Sequence, residues 1–110
     1  MKTIEHFVDG KSFSGDSKRT AKVFNPATGE QSSEVKLAST KDVNQAVENA
    51  MKAFEPWANT HPLQRARIMF KFKALIKKNY DEQTKIIVAE HGKVYKYARG
   101  SLTRVLDMVE

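Results

Sequence analysis

The side chains that could carry covalent chemistry in this sequence are few and far apart. There is no cysteine, which excludes a thiolate nucleophile, a disulfide and a thiolate metal site within these residues. His6, His61 and His91 are widely separated, and none has a second metal ligand at helical spacing, so each is also explained as a surface or turn residue. A Gly-rich phosphate-binding loop is absent as well. The residue types alone therefore predict no catalytic, cofactor or metal site.

Glu90, Ser101 and Thr103 each allow two interpretations. Glu90 could serve as a general base, but a glutamate beside a helix end commonly caps the helix or is solvated. Ser101 and Thr103 could be nucleophiles, but no histidine is near them in the sequence, which favours hydroxyls on a helix surface. We assign none of the three a catalytic role.

The one cation whose position suggests binding is Arg104. From Val94 to Val109 apolar residues recur every three or four positions, so a helix there carries an apolar stripe interrupted only by Ser101. Arg104 falls at the border of this stripe, where its stem can pack and its guanidinium can engage an anion. A plain surface arginine is the alternative. Because the stripe is still running at Glu110, we expect a chain that was once longer.

Length and composition narrow the class of protein. A chain of 110 residues and 12.5 kDa has room for one small domain with a thin core. No apolar run approaches the roughly 20 residues that cross a bilayer, and residues 1–6 resemble neither a signal peptide nor a targeting presequence. We therefore predict a cytoplasmic protein that does not associate with a membrane.

The net charge of +6 raises the question of nucleic acid as a partner. Six basic residues and no acidic one lie between His61 and Tyr80, with Phe70 and Phe72 interleaved. The aromatic positions also suit a helix core, and the cations are not gathered on one face, whereas phosphate affinity requires several cations on one surface. A solvated helix surface is the favoured interpretation, and nucleic acid is not predicted as a partner.

Residues 1–38 carry the pattern of short antiparallel β-ribbons. Residues 6–13 predict a hairpin of two strands around an Asp-Gly turn. Residues 21–24 and 33–37 alternate as two further strands, joined by a turn in which Gly29 takes a positive backbone angle. Such ribbons are marginal alone and need a helical or sheet surface to pack on.

Residues 39–110 carry helical patterns. Ser39 and Asp42 form a capping box ahead of a strongly amphipathic helix, which Pro56 should end or bend near Phe54. A second helix and a third helix follow, and the striped helix is the last.

The signals between these later helices are proline, asparagine and glycine. Pro62 occupies the first position of the second helix, which runs to about Lys78. Asn79 and Glu82 offer a capping pair for the third helix. Gly92 can end that helix in the left-handed conformation.

Together these patterns predict an α+β chain in which N-terminal β-hairpins precede three to four amphipathic helices. No repeat, low-complexity segment or linker interrupts this order. We therefore predict a single unit, 1–110, with β-ribbons at 1–38 and helices at 39–110.

An ordered set of motifs resembles the beginning of an aldehyde dehydrogenase. The motifs are Phe-Asn-Pro-Ala-Thr-Gly-Glu at 24–30, Ala53-Phe54 with Trp57, Arg-Ala-Arg-Ile-Met-Phe at 65–70, and Glu-His-Gly-Lys at 90–93. Within that superfamily the sequence most resembles the CoA-acylating methylmalonate (malonate) semialdehyde dehydrogenases, from Val8 to Glu110. Those enzymes are several times longer, so the resemblance implies the N-terminal part of a coenzyme-binding domain in an α/β aldehyde dehydrogenase fold.

The resemblance implies a mechanism whose reactive parts lie outside these residues. In the family a cysteine thiolate attacks the aldehyde, hydride passes to NAD, and the thioester is transferred to coenzyme A. NAD and coenzyme A are thus implied for a full-length enzyme, and no cofactor for these residues alone, which should be inactive. The family is similar in holding the substrate carboxylate with arginines, one of them at the position of Arg104. Val105 departs from the family, which usually has glycine after this arginine.

Two interpretations of different class remain open. The first is the N-terminal piece of an NAD-dependent semialdehyde dehydrogenase, which meets its small-molecule substrate only in the full-length context. The second is a non-catalytic helical module that self-associates or binds a protein or an anion. Because apolar helix faces would be exposed in these residues alone, we predict self-association into a homo-oligomer.

Overall fold

The computed structural model describes residues 1–110 and confirms the predicted α+β class, with strands first and helices after them. The strands are β1 (Lys2–Ile4), β2 (His6–Val8), β3 (Lys11–Phe13), β4 (Thr20–Phe24) and β5 (Gln31–Lys36). The helices are α1 (Thr40–Ala58), α2 (Pro62–Lys78), α3 (Tyr80–His91) and α4 (Tyr95–Val109). The chain divides into two compact units. The first contains residues 1–24 and 29–59, and the second contains residues 25–28 and 60–110. That 1–110 is a single unit of a coenzyme-binding domain remains a prediction.

The first unit contains a three-stranded sheet with the order β1-β5-β4. Strands β4 and β5 pair antiparallel, as predicted. Strand β1 was not predicted, and it pairs parallel to β5, with Lys2 opposite Ser33 and Ile4 opposite Val35. The expectation of only antiparallel ribbons is therefore wrong. Three residues are too few to show a two-residue period, and a parallel partner 31 positions away, as Ser33 is from Lys2, leaves no local turn signal.

The predicted hairpin forms from β2 and β3, with His6 opposite Phe13 and Val8 opposite Lys11. Its turn places Asp9 at φ 56° and Gly10 at φ 74°. Two consecutive positive φ angles are what a tight turn between two twisted strands requires, and Asp-Gly is a preferred pair for it. The dipeptide therefore sets the register of this ribbon.

The predicted capping box begins α1. The Ser39 hydroxyl accepts from the Asp42 amide at 3.1 Å, and the Ser39 amide donates to the Asp42 carboxylate at 2.9 Å. The same carboxylate accepts a bond of 3.1 Å from the Asp16 amide. Gly15 lies against this carboxylate, since a Cβ at Gly15 would stand 2.5 Å from its nearer oxygen. Asp42 therefore joins the helix start to the loop after β3.

The prediction that Pro56 ends α1 near Phe54 is wrong, because the helix continues to Ala58, and a bend at Pro56 stays a prediction. Pro56 lies in the last turn, where the missing amide removes one helical hydrogen bond and leaves few turns beyond it to misalign. The Asn59 amide still donates to the Glu55 carbonyl at 3.0 Å and closes the helix.

Helices α2, α3 and α4 build the second unit, and α4 packs on both of the others. As predicted, Pro62 begins α2, where the His61 imidazole accepts from the Leu63 amide at 3.1 Å. The predicted capping pair at the start of α3 is wrong, because the Asn79 side chain donates back to the Leu75 carbonyl at 2.9 Å.

Few side chains are buried in the second unit, and they lie on α2, α3 and α4. Ile76, Ala98 and Leu102 are the buried apolar residues, and Thr84 is fully buried with its hydroxyl donating to the Tyr80 carbonyl at 2.7 Å. None of the four helices is long and apolar enough to cross a lipid bilayer.

Candidate anion-binding site

The turn between α3 and α4 places Lys93. Gly92 ends α3 at φ 77°, the left-handed conformation that the sequence predicted, and its amide donates to the Val88 carbonyl at 2.9 Å. Glycine pays no steric cost there, so the chain can leave α3 and begin α4 within three residues. Lys93 is half-buried in this short connection.

Ser101 on α4 brings two cations together. Its hydroxyl oxygen accepts from the Lys93 ammonium at 3.3 Å and from the Arg104 guanidinium at 3.2 Å. The same hydroxyl donates to the Tyr97 carbonyl at 3.3 Å. A serine hydroxyl has one proton to donate and two lone pairs, so its hydrogen-bonding capacity is filled. The two cations are thus held by one neutral oxygen.

Helix geometry explains why the arginine reaches this point. Ser101 and Arg104 are three positions apart and therefore neighbours on one face of α4. Gly100, four positions before Arg104, presents no side chain to the guanidinium, and a Cβ there would lie 3.7 Å from Arg104 Nη1. Arg104 is an exposed residue, so an incoming ligand can reach it.

Neither Lys93 nor Arg104 forms a salt bridge. Both bond to one atom at 3.3 and 3.2 Å, so the two nitrogens are at most 6.5 Å apart. Two unit charges at that distance repel by roughly 0.6 kcal/mol even in bulk water. An anion bound between them would remove this repulsion and replace a neutral acceptor by a charged one.

Another arginine of α4 is already neutralised. Arg99 pairs with Asp81 at 2.9 Å and lies 4.6 Å from the ring centre of Tyr80, and Tyr95 also donates to Asp81 at 3.2 Å. This group ties α3 to α4. Arg99 is therefore a structural residue, and the unneutralised charge of α4 near Ser101 belongs to Arg104.

The whole net charge of the chain resides in the second unit. Residues 25–28 and 60–110 contain eleven Lys and Arg against five Asp and Glu, whereas the first unit contains eight of each. A positive field of this kind raises the local concentration of anions near the surface. It favours an anionic ligand for the second unit without identifying it.

The other residues considered as candidates do not come together. His61 caps α2, His91 is the last residue of α3, and His6 packs against Phe13 with ring centres 6.2 Å apart. Thr103 donates to the Arg99 carbonyl at 3.2 Å and also meets the Tyr80 hydroxyl. Groups of three or more His, Cys, Asp or Glu side chains that could hold a metal ion are absent.

The site contains two residues that the sequence did not assign to it, Lys93 and Ser101. A polar residue that interrupts an apolar stripe was visible at Ser101, but the sequence could not show that a lysine eight positions earlier turns back toward it. That contact depends on the sharp reversal at Gly92.

Comparison with known proteins places the chain in a family. The model of the aldehyde dehydrogenase family matches residues 13–110. The chain belongs to the aldehyde dehydrogenase family. The identification that the sequence motifs suggested is thereby confirmed, and the four helices with their small sheets correspond to the N-terminal part of that fold.

Relatives similar to this chain are named as malonate-semialdehyde dehydrogenases. A malonate-semialdehyde dehydrogenase from Pseudomonas aeruginosa is 40% identical over all 110 residues, and one from Oceanobacillus iheyensis is 36% identical over the same length. These matches cover 22% and 23% of the two relatives, so the chain spans less than a quarter of their length.

Solved structures of the same family are also similar to this chain. A methylmalonate-semialdehyde dehydrogenase from Oceanimonas doudoroffii is 46% identical and superposes on 99% of the chain with a TM-score of 0.94. A Sinorhizobium meliloti protein assigned to the same activity, crystallised with NAD, is 42% identical over 99% of the chain with a TM-score of 0.95. The chain covers 22% of each of these structures.

Proposed function

We propose that this chain is the N-terminal part of an NAD-dependent enzyme that oxidises malonate or methylmalonate semialdehyde to an acyl-CoA. The observation that carries the proposal is the similarity to malonate-semialdehyde dehydrogenases over all 110 residues. The Sinorhizobium meliloti neighbour with bound NAD supports the choice of coenzyme. The sequence resemblance supports coenzyme A as acyl acceptor.

In this proposal Arg104 binds the carboxylate of the semialdehyde. A guanidinium offers planar donors that match the two oxygens of a carboxylate, and it stays charged at any working pH. Its exposure and its lack of a salt bridge support this role, because a ligand can displace a neutral hydroxyl more easily than a carboxylate partner. The carboxylate would orient the aldehyde end of the substrate toward the nucleophile.

The reacting groups themselves lie elsewhere in the proposed enzyme. The chain has no cysteine, so the thiol that attacks the aldehyde must come from residues outside this sequence. We propose that the 110 residues alone are inactive, and that they contribute scaffold and one substrate contact.

The four helix starts of this chain lack the features of a typical phosphate site. A phosphate is usually held by free amides at a helix start, often after a Gly-rich turn. The capping box already satisfies the start of α1, and His61 accepts from an amide of α2. The first turn of α3 contains Asp81 and Glu82, which repel phosphate. Helix α4 follows Val94 without a Gly-rich turn. We therefore propose no NAD contact for this chain.

The test is an NAD-reduction assay with malonate semialdehyde and coenzyme A. It is run on the 110-residue chain and on any longer product of the same gene. We expect NADH and an acyl-CoA only from a longer product that contains a cysteine. Turnover by the 110 residues alone would contradict the proposal, since it would require chemistry without a thiol. A longer product that oxidises only aldehydes lacking a carboxylate would contradict the substrate assignment.

A further inference from the structure

The hydroxyl of Ser101 holds two cations that have no anionic partner. It accepts from Lys93 at 3.3 Å and from Arg104 at 3.2 Å, and it gives its proton to the Tyr97 carbonyl. A side chain whose donor and both acceptor sites are used is fixed in orientation, and it fixes the groups bonded to it. The positions of both cation heads are therefore set before any ligand arrives.

We propose that Lys93 is a second cation of the carboxylate site, and that Ser101 is a positioning residue that holds Lys93 and Arg104 ready for one carboxylate. The inference deepens the proposed function and rests on it. The ligand class is a short aliphatic acid whose carboxylate is received between an ammonium and a guanidinium. Lys93 contributes charge, and Arg104 contributes charge and planar geometry.

The distances fit one carboxylate. The two nitrogens are at most 6.5 Å apart, and charge-assisted N–H···O bonds are about 2.7–2.9 Å long. A carboxylate that enters between them can therefore accept from both. The half-burial of Lys93 strengthens its interaction with an anion, because a partly desolvated charge is screened less than an exposed one.

Nearby cations do not share this arrangement. Arg99 is already paired with Asp81 at 2.9 Å, and Lys73 is paired with Glu110. Lys96 is exposed on the first turn of α4 and has no hydrogen bond or salt bridge in the structure. Lys96 thus provides a matched control, because its substitution removes the same charge three positions after Lys93 and has no bond to Ser101 to break.

The experiment is a titration of the 110-residue chain with malonate, followed by two-dimensional ¹H–¹⁵N NMR. Malonate keeps the carboxylate of the proposed substrate and cannot be oxidised as an aldehyde. We expect saturable shifts at Lys93, Ser101 and Arg104, and no shifts with the neutral analogue malonamide. Lys93→Met should weaken malonate binding about fivefold, and Lys93→Arg should retain most of it, while Lys96→Met should leave it unchanged.

Ser101→Ala tests positioning without changing the charge. We expect it to weaken malonate binding severalfold although both cations remain, and we expect Ser101→Thr to restore the affinity because threonine keeps the hydroxyl. Circular dichroism of each variant verifies that α4 still forms. An affinity in Ser101→Ala equal to that of the wild type would overturn the positioning role.

The remaining outcomes separate this inference from the proposed function. If Arg104→Met abolishes malonate binding and Lys93→Met leaves it unchanged, Lys93 is not part of the site and the role of Arg104 stands. If Lys96→Met weakens malonate binding as much as Lys93→Met, the affinity depends only on the net charge of the chain and the inference fails. If malonate binds none of these residues, the inference fails whatever the NAD-reduction assay gives, because that assay tests the enzyme activity independently.

Discussion

Arg104 donates to a neutral hydroxyl, and a substrate carboxylate would offer its guanidinium a charged acceptor instead. Hydrogen bonds to charged groups contribute about 1.5–3 kcal/mol, which corresponds to roughly tenfold to hundredfold in affinity. In a longer product of the gene, we therefore predict that Arg104→Met raises the KM for malonate semialdehyde by about ten- to a hundredfold. Steady-state kinetics with saturating NAD measures this change.

A substrate without a carboxylate provides the control for Arg104. Propionaldehyde has no anionic end, so its KM should respond little to Arg104→Met. Arg104→Lys should give an intermediate KM for the semialdehyde, since it keeps the charge and loses the planar pair of donors. An equal loss with both aldehydes would show that the arginine acts on structure and not on the carboxylate.

Asp42 makes the start of α1 sensitive to acid. The backbone amide of Ser39, assisted by that of Asp16 and opposed by burial, holds the pKa of Asp42 below its usual value. An unfolded aspartate has a pKa of about 3.9, so the unfolded chain binds a proton at a higher pH than the folded chain does. The stabilisation is complete above that pH and is lost as pH falls through the lower pKa of the folded state.

We therefore predict a falling urea midpoint below about pH 4, and a flatter pH dependence in Asp42→Asn. The asparagine keeps the shape of the side chain and cannot titrate, so its midpoint should also be lower at neutral pH, where the carboxylate is charged. Glu48→Gln is the control, because it removes an exposed carboxylate from the same helix. A pH profile of Asp42→Asn that parallels the wild type would refute the assignment to Asp42.

The sequence predicts one of the three residues of the candidate site. Arg104 could be selected from the border of an apolar stripe and from the family resemblance, and its role as carboxylate ligand stays a prediction. Lys93 and Ser101 could not be joined to it, because their contact depends on the direction of the chain after Gly92. Side-chain spacing describes one helix face and carries no information about a residue that precedes the helix.

Among the elements, the turn at Gly92 offers a test of close packing. A Cβ there would lie 3.1 Å from Pro26 Cγ, and φ is 77°. Gly92→Ala should therefore be destabilising through backbone strain of about 1–2 kcal/mol, with a further loss because the Pro26 ring must move. Urea unfolding followed by circular dichroism measures the difference from the wild type.

Gly29→Ala is the matched control for Gly92→Ala. Gly29 has φ 75°, and a Cβ there meets no atom within 4 Å. Both substitutions impose the same backbone strain, and only Gly92→Ala adds a steric contact. We expect Gly92→Ala to lose more stability than Gly29→Ala, and equal losses would mean that the contact with Pro26 relaxes without cost.

The elements also show which local signals determine structure. The hairpin at Asp9-Gly10, the capping box at Ser39 and the helix end at Gly92 were predictable because each rests on backbone angles or hydrogen bonds within a few residues. Strand β1 was not predictable, because its partners in β5 lie 31 positions away, as Ser33 does from Lys2. The end of α1 was predicted wrongly at Pro56, because the cost of a proline depends on how many helical turns follow it, and the sequence alone does not show how far the helix continues after Pro56.

Across the whole molecule, much apolar surface is exposed. The accessible surface is 8661 Å², whereas a folded monomer of this mass exposes about 6,200 Å². Only three apolar side chains are buried. The apolar face of α1 is exposed along its length, at Val43 (50%), Val47 (52%), Met51 (70%), Phe54 (72%) and Trp57 (41%). Exposed apolar surface of this kind is typical of an interface, because apolar area in water is unfavourable.

We propose that a second copy of the chain covers the apolar face of α1 when the 110 residues are alone in solution. The excess of about 2,500 Å² over a monomer of the same mass lies in the range of stable interfaces between subunits.

Multi-angle light scattering at micromolar concentration should therefore give a dimer or a larger species. Phe54→Lys should shift the mass toward the monomer, because a charge cannot be buried in an apolar contact without a partner. Gln45→Lys adds the same charge to an exposed polar position of α1 and should leave the mass unchanged. A monodisperse wild-type monomer would exclude self-association, and an equal effect of the two lysines would place the interface elsewhere than on the apolar face of α1.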